Sequence, residues 1–160
     1  IDDIRKNFQF DSLNHFLEYS DGFFVLLKTR EDFRNLALNY FKKANQNGII
    51  YAELTYGPML FEKNNVSHEE LLSGYLEAME IAYEEYKIES NLILTFDRSH
   101  SEEECIEMYK KSIKLYLEMG VREKIVAIGI VCKEIGNPPN KFPKLFEMAR
   151  KDGFNLTCHA

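Results

Sequence analysis

Short apolar runs alternate with longer amphipathic stretches along most of the chain. The amphipathic stretches repeat their apolar residues at helical spacing, and the apolar runs are rich in β-branched residues, as buried strands are. Helices are predicted at about residues 31–46, 67–86, 101–118 and 143–151, and strands at 49–54, 91–96, 124–131 and 154–160. This alternation of helix and strand is typical of β-α-β units.

The predicted helices begin at recognisable capping residues. Thr29, Ser67 and Ser101 each precede a run that contains two or three carboxylates. A hydroxyl oxygen accepts hydrogen bonds from the free N–H groups of a first helical turn, and acidic side chains there complement its partial positive charge. The acidic runs therefore indicate helix starts rather than metal sites.

The predicted strands start roughly 30 to 40 residues apart, which matches the length of a β-α-β unit. The first three show little apolar–polar alternation, which indicates a parallel sheet buried on both faces. An open doubly wound sheet would carry a glycine-rich phosphate loop after a strand, whereas Gly57 and Gly136 stand singly among prolines. A complete (β/α)8 barrel takes about 250 residues. The 160 residues therefore predict an α/β fold that forms about half of such a barrel.

Composition narrows the classes of function. An apolar content of 45% is enough for a folded core, and a net charge of −6 argues against a nucleic-acid partner, which usually requires an excess of Lys and Arg. The three cysteines, Cys105, Cys132 and Cys158, form no closely spaced metal or redox motif. No apolar run is long enough to span a bilayer, and the first residues lack the features of a signal peptide. We expect a cytoplasmic protein with no nucleic-acid or membrane partner.

The segment Phe154–Ala160 carries the first candidate for chemistry. Its apolar and polar residues alternate after Gly153, which is the pattern of a strand that follows the end of a helix. Ligands of α/β proteins collect beyond the carboxyl ends of parallel strands. His159 is therefore a candidate metal ligand or general base. The alternative is a partly buried histidine that hydrogen-bonds to its neighbours.

Several segments resemble a known family, the zinc-dependent purine deaminases that include adenosine deaminase and its adenine deaminase relatives. Gly153–Ala160 is similar to the family segment that ends in His-Ala-Gly-Glu, and Ile49–Pro58 to the second barrel strand, Val-x-Tyr-x-Glu-x-Arg followed by a proline. Ile128–Phe142 resembles the Gly-Leu-Asp-Ser-Ser-Glu-x-Gly-Asn-Pro-Pro-x-x-Phe stretch of the adenine deaminase branch. Phe10–Leu17 resembles the amphipathic helix over the pocket mouth, and Arg98 matches an arginine common after the third strand.

The resemblance implies a partial TIM (β/α)8 barrel of the metal-dependent hydrolase type. Residues 1–160 would form a single, incomplete domain that covers about the second to fifth strands, with N- and C-terminal barrel strands missing. One zinc ion per complete site is implied, held by three histidines and an aspartate, and His159 is the ligand that this chain would supply. The proton-donor glutamate is expected just after Ala160, so no catalytic residue falls within the chain, and the chain alone is expected to be inactive and to hold no zinc.

The resemblance also implies the reaction and the substrate contacts. A zinc-activated water would deaminate adenosine to inosine and ammonia, with adenine or another 6-aminopurine as the alternative. The backbone N–H at about Cys132 would meet N3 of the purine. Leu13, Phe16 and Leu17 fall at i, i+3 and i+4 and form one apolar helix face. This face would either close over the base as a lid or simply dock on the barrel.

Other interpretations remain open at this point. The chain fits a half-barrel domain that binds a small molecule without chemistry, and open parallel sheet edges invite pairing with a second copy. His15, His68 and His100 lie at helix starts or in loops, so we expect them to be surface or capping residues. Glu53 lies inside an apolar strand and needs a partner, because an unpaired buried carboxylate is costly. Arg98 is the candidate partner.

Overall fold

Four parallel strands lie side by side in chain order in one sheet. The structure, a computed structural model, describes residues 9–62 and 64–159. The strands are β1 (Tyr51–Tyr56), β2 (Glu89–Asp97), β3 (Ile125–Val131) and β4 (Asn155–Cys158). Each neighbouring pair is parallel, and the register of β2 on β3 shifts between Leu92 and Ile93. The predicted α/β fold with four parallel strands is confirmed.

Helices connect the strands and flank the sheet. Their bounds are α1 (Leu13–Phe24), α2 (Arg30–Gln46), α3 (Met59–Glu62), α4 (His68–Tyr86), α5 (Glu102–Met119) and α6 (Pro143–Lys151). The four helices predicted from periodicity each begin and end within one residue of these bounds. Within residues 9–62 and 64–159, no helix has both the length and the apolar content that a membrane span requires.

The capping residues fix the helix starts as predicted. The side chains of Thr29 and Ser101 accept hydrogen bonds from the N–H groups of Asp32 and Glu104, whose carboxylates accept in return from the capping residues' N–H groups. Each pair forms a capping box, which satisfies two orphan donors at once. Ser67 accepts from the N–H of Glu70 in the same way. The acidic runs are helix starts, because their carboxylates serve the first turns.

The first strand lies two residues later than predicted. Ile49 and Ile50 precede β1, although both are apolar and β-branched. The N–H of Ile49 donates to the carbonyl of Ala44 at 3.1 Å, so this residue completes the C-terminal end of α2. Local hydrogen bonding at the helix end therefore overrides the strand propensity of Ile49, whereas the carbonyl of Ile50 already accepts from the N–H of Glu89 at 3.0 Å.

The two faces of the sheet differ in polarity. Leu92, Leu94 and Phe96 lie on the helix-covered face of β2 and are fully buried. On the opposite face, a Cβ added to Gly129 would lie 2.9 Å from Thr157 Cγ2 and close to Thr95, so strands β2 to β4 pack tightly there. We call this opposite face the inner face.

Only the central strands of the sheet are buried on both faces. Residues of β3 are buried or half-buried along its whole length, whereas β1 exposes alternate residues. Tyr51, Glu53 and Thr55 are the exposed residues of β1, and they lie on the inner face. The prediction of burial on both faces is wrong for β1, because this strand lies at an edge of the four-stranded sheet. The other edge strand, β4, alternates as residues 154–160 predicted.

Helices α2 and α4 pack against each other at a glycine. A Cβ at Gly74 would lie 2.5 Å from the carbonyl oxygen of Arg30 and 2.8 Å from the Cβ of Phe33. Only glycine allows the two backbones to approach this closely. The ring of Phe33 contacts that of Phe61, which in turn contacts Phe24 at the end of α1. These ring contacts connect the end of α1 to α2 through α3.

Candidate functional site

The carboxyl ends of the four parallel strands meet at one edge of the sheet, which is where ligands bind in folds of this type. Three residues with polar or ligating side chains follow the strands directly. Arg98 follows β2, Cys132 follows β3 and His159 follows β4. Two of these are residues that the sequence singled out for a site, and the structure places them at the same edge.

His159 is held by its backbone while its side chain stays accessible. Its N–H donates to the carbonyl of Ile130 at 3.0 Å, which extends the pairing of β4 with β3 by one residue. Its own carbonyl accepts a hydrogen bond from Arg98. The residue is exposed, and strand alternation places its side chain on the same face as that of Thr157, the inner face. This geometry suits a ligand-binding imidazole.

Arg98 is fully buried beneath the strand ends. Its Nη2 donates to Cys158 Sγ at 2.9 Å and to the carbonyl of His159, and its Nη1 donates to the carbonyl of Asn137 at 3.5 Å. The carboxylate of Glu134 lies 3.7 Å from Nη1. One guanidinium therefore joins the end of β2, the loop after β3 and the end of β4.

The partner that the sequence suggested for Arg98 is wrong. Glu53 lies on the exposed inner face of β1 and accepts a hydrogen bond from the Tyr51 hydroxyl at 2.7 Å. Solvent and this hydroxyl satisfy its carboxylate, so no buried cation is required. The carboxylate that Arg98 contacts is Glu134.

Cys132 begins the loop after β3 in a conformation that is unusual for its residue type. Its φ is 73°, in the left-handed region, which costs a non-glycine residue roughly 1 to 2 kcal/mol. Burial, together with the charge of Asp97 and a hydrogen bond to it, raises the pKa of the Cys132 thiol to about 12. The thiol therefore stays protonated at neutral pH. Backbone strain of this kind often accompanies a functional constraint.

Helix α1 lies at the same edge of the sheet. The charge of Asp21, in the C-terminal half of α1, is close enough to Cys132 to contribute to its raised pKa. Phe24 anchors the end of the helix on Phe61, which lies just after β1. Helix α1 therefore lies near the carboxyl ends of both β1 and β3.

The apolar face of α1 that the sequence singled out is largely uncovered. Leu13 is 50% exposed and Phe16 is 42% exposed, whereas Leu17 is half-buried. No residue of α1 is fully buried. Phe16 contacts Phe10 edge to face, at 5.2 Å between ring centroids. An apolar helix face that stays accessible at the strand ends suits a lid over a flat, apolar ligand.

The described residues do not supply a complete metal site. Catalytic zinc takes three protein ligands and a water, and no group of three His, Cys, Asp or Glu side chains suited to a metal occurs within residues 9–62 and 64–159. His159 fits one such position, because its imidazole is accessible and its backbone is fixed on both sides. Further ligands must come from outside these residues.

His68 corrects the view that all remaining histidines are surface or capping residues. Its ring lies 5.9 Å from that of Tyr56 and 6.0 Å from that of Tyr116. Nε2 is buried, with no hydrogen-bond partner in the part of the chain that the structure describes. Burial lowers the pKa of His68 to about 4. A signal was available, because His68, Leu71, Leu72 and Tyr75 follow the i, i+3, i+4, i+7 spacing of one helix face.

The other two histidines lie where the sequence suggested. His15 is exposed in the first turn of α1, where its N–H donates to the Ser12 side chain at 3.2 Å. His100 precedes α5, and its Nδ1 lies 3.6 Å from the carboxylate of Glu104. Neither belongs to a ligating cluster among the described residues.

His159 lies directly after the last described strand, at the edge of the sheet where parallel β/α folds bind their ligands. The family model for adenosine deaminase matches residues 1–160. The chain belongs to the adenosine deaminase family.

The matching proteins include adenine deaminases. An adenine deaminase of Wolinella succinogenes is 36% identical over 161 residues, in a match that covers 100% of this chain and 46% of the relative. The crystal structure of an adenine deaminase from Arthrobacter aurescens superposes with a TM-score of 0.88 and 28% identity, covering 98% of this chain and 46% of that one. The chain therefore spans about half the length of the curated relatives it matches.

A more distant structure shows the same fold. An amidohydrolase from Burkholderia ambifaria, solved with bound Zn, has a TM-score of 0.73 and 24% identity, and the match covers 84% of this chain and 36% of that one. These likenesses confirm the predicted segment of a TIM barrel.

Proposed function

We propose that this chain forms part of a hydrolytic purine deaminase that removes the 6-amino group of adenine. Two of the three proteins named above are adenine deaminases, and residues 128–142 resemble the adenine deaminase branch. They favour the alternative of the sequence analysis, adenine, over its first choice, adenosine. Because the chain spans about half of each relative, the proposal includes residues beyond those described here, which complete a single barrel domain.

The observation that carries the proposal is the meeting of His159, Cys132 and α1 at one edge of the sheet. His159 lies directly after β4 with its backbone fixed by Ile130 and Arg98. Cys132 lies after the neighbouring strand, and Asp21 of α1 is close to it. The same edge of the sheet therefore holds a candidate metal ligand, a backbone that could bind the base, and a helix that could cover it.

Each of these groups takes one role in the proposal. His159 is one zinc ligand, and zinc, when bound, lowers the pKa of a coordinated water so that hydroxide is available at neutral pH. The backbone N–H at Cys132 donates to N3 of the purine, a contact that does not depend on the side chain. Leu13, Phe16 and Leu17 cover the base and exclude water from it. The proton-donor glutamate lies outside the described residues.

Location and partners are part of the same proposal. The three cysteines are free thiols, which is typical of a reducing compartment such as the cytoplasm. The partner is a small purine, and the negative net charge of the chain disfavours nucleic acid. Self-association through the edges of β1 and β4 is disfavoured once further strands complete the barrel, because closure removes those edges.

Ammonia release from adenine and from adenosine by the intact protein tests the proposal. We expect kcat/KM for adenine to exceed that for adenosine, and His159→Ala to abolish both activities. His100→Ala is the matched control, because this histidine lies beside Glu104 at the start of α5 and takes no part in the site. Activity on neither purine would contradict the proposal and favour a non-catalytic binding domain.

A further inference from the structure

The burial of Arg98 is costly in free energy for the folded protein. Within residues 9–62 and 64–159, it is the one charged side chain that is fully buried. Moving a guanidinium out of water costs several kcal/mol unless a close counter-charge and hydrogen bonds offset it. The carboxylate of Glu134 is 3.7 Å away on a side chain that is 51% exposed, and Arg98 Nε has no partner among the described residues. Stability alone does not explain this arrangement.

The hydrogen bonds of Arg98 converge on the end of β4. Its backbone N–H donates to the carbonyl of Val131 at 3.1 Å, which ties it to β3. Its Nη2 then reaches the next strand and contacts both Cys158 Sγ and the carbonyl of His159. Without these contacts, only the hydrogen bond from the His159 N–H to the carbonyl of Ile130 would hold His159 in place. A single hydrogen bond at the end of an element frays easily.

We propose that Arg98 is a positioning residue that fixes the backbone of His159, and with it the direction of the imidazole. The inference rests on the proposed function in that His159 is taken to be a metal ligand. A metal ligand must be held to within about 0.5 Å of its place. The planar guanidinium suits this task, because Nη2 donates two hydrogen bonds while Nη1 donates to the carbonyl of Asn137 in the loop after β3. Lysine carries the same charge but lacks the planar, forked arrangement of N–H donors.

The chain offers a matched control at the opposite end of the same strands. Arg122 donates to the carbonyl of Ile125 at 3.1 Å and to the carbonyl of Asp152 at 2.8 Å, and its guanidinium stacks on the ring of Phe154. It therefore joins the amino ends of β3 and β4 as Arg98 joins their carboxyl ends. If Arg98 served stability alone, substitution of either arginine would lower Tm and leave zinc affinity unchanged.

The test compares Arg98→Lys with Arg122→Lys in the intact protein. We expect Arg98→Lys to speed amide hydrogen exchange in residues 155–159, to weaken zinc affinity in a chelator competition by about 10- to 100-fold, and to lower kcat while KM stays within about twofold. Arg122→Lys should lower Tm and leave zinc affinity and kcat unchanged. Equal effects of the two substitutions, confined to Tm, would overturn the inference.

Two further measurements keep the inference falsifiable. If Arg98→Lys does not fold, Cys158→Ala removes one acceptor of Nη2 and should shift exchange and zinc affinity in the same direction to a smaller extent; unchanged values would overturn the inference. A wild type that binds zinc but deaminates no purine would refute the proposed function alone. In that case the exchange and zinc measurements on Arg98→Lys would still decide whether this residue positions His159.

Discussion

Acidification should destabilise the protein through His68. The imidazole lies between the rings of Tyr56 and Tyr116, and burial lowers its pKa from 6.5 to about 4. Both tyrosines stay neutral, because burial raises their pKa values. Neither of them offers a charge that would stabilise an imidazolium, so protonation of His68 opposes folding.

The size and sign of the effect follow from the two pKa values. The unfolded state takes up the proton near pH 6.5 and the folded state near pH 4, so stability is complete above pH 6.5 and is lost as the pH falls towards 4. Each pH unit in this window costs about 1.4 kcal/mol. Between about pH 7.5 and pH 5, His68 should therefore reduce the free energy of unfolding by about 2 kcal/mol.

Urea unfolding of the intact protein at these two pH values measures the effect. His68→Leu removes the titration and keeps a similar volume, so this variant should lose about 2 kcal/mol less than wild type on acidification. His100→Leu is the control, because His100 is 39% exposed, and it should behave as wild type does. Equal pH dependence of wild type and His68→Leu would refute the reasoning.

Four more outcomes are expected. Gly74→Ala should cost about 1 to 3 kcal/mol in urea unfolding, because its Cβ meets the Arg30 carbonyl at 2.5 Å; unchanged stability would contradict the tight α2–α4 contact. Ser101→Ala, which removes the cap shared with Glu104, should cost about 1 kcal/mol, and Ser99→Ala much less. Phe16→Ala should raise KM for adenine severalfold with Tm unchanged, since its ring is 42% exposed; a lower Tm with the same KM would favour simple docking. The 160-residue chain alone should release no ammonia from adenine, and zinc-dependent release would contradict this.

The regular elements of the fold could be predicted because their signals are local. Thr29, Ser67 and Ser101 mark helix starts through contacts three residues away, and all three act as the sequence indicates. Two strand starts differ from the prediction by more than one residue: β1 begins two residues late, after the helix-ending bond of Ile49, and β2 begins two residues early, at Glu89. Local competition of this kind is not visible in periodicity.

The candidate site could be predicted only in part, because its connections are distant in sequence. His159 was predicted from its position after a strand and from the resemblance, and Cys132 from the resemblance alone. The hydrogen-bond partners of the Arg98 side chain lie 39 to 61 residues further along the chain. No spacing rule links a buried arginine to a carbonyl across two strands, so the sequence suggested Glu53 instead.

Zinc content and activity of the intact protein, measured together, test the central claim most directly. Wild-type protein stripped with a chelator should lose adenine deamination and regain it in proportion to zinc restored, about one ion per chain. His159→Ala should bind zinc weakly and stay inactive, while His100→Ala should match wild type. His159→Ala protein that retains both its zinc and its activity would contradict the account.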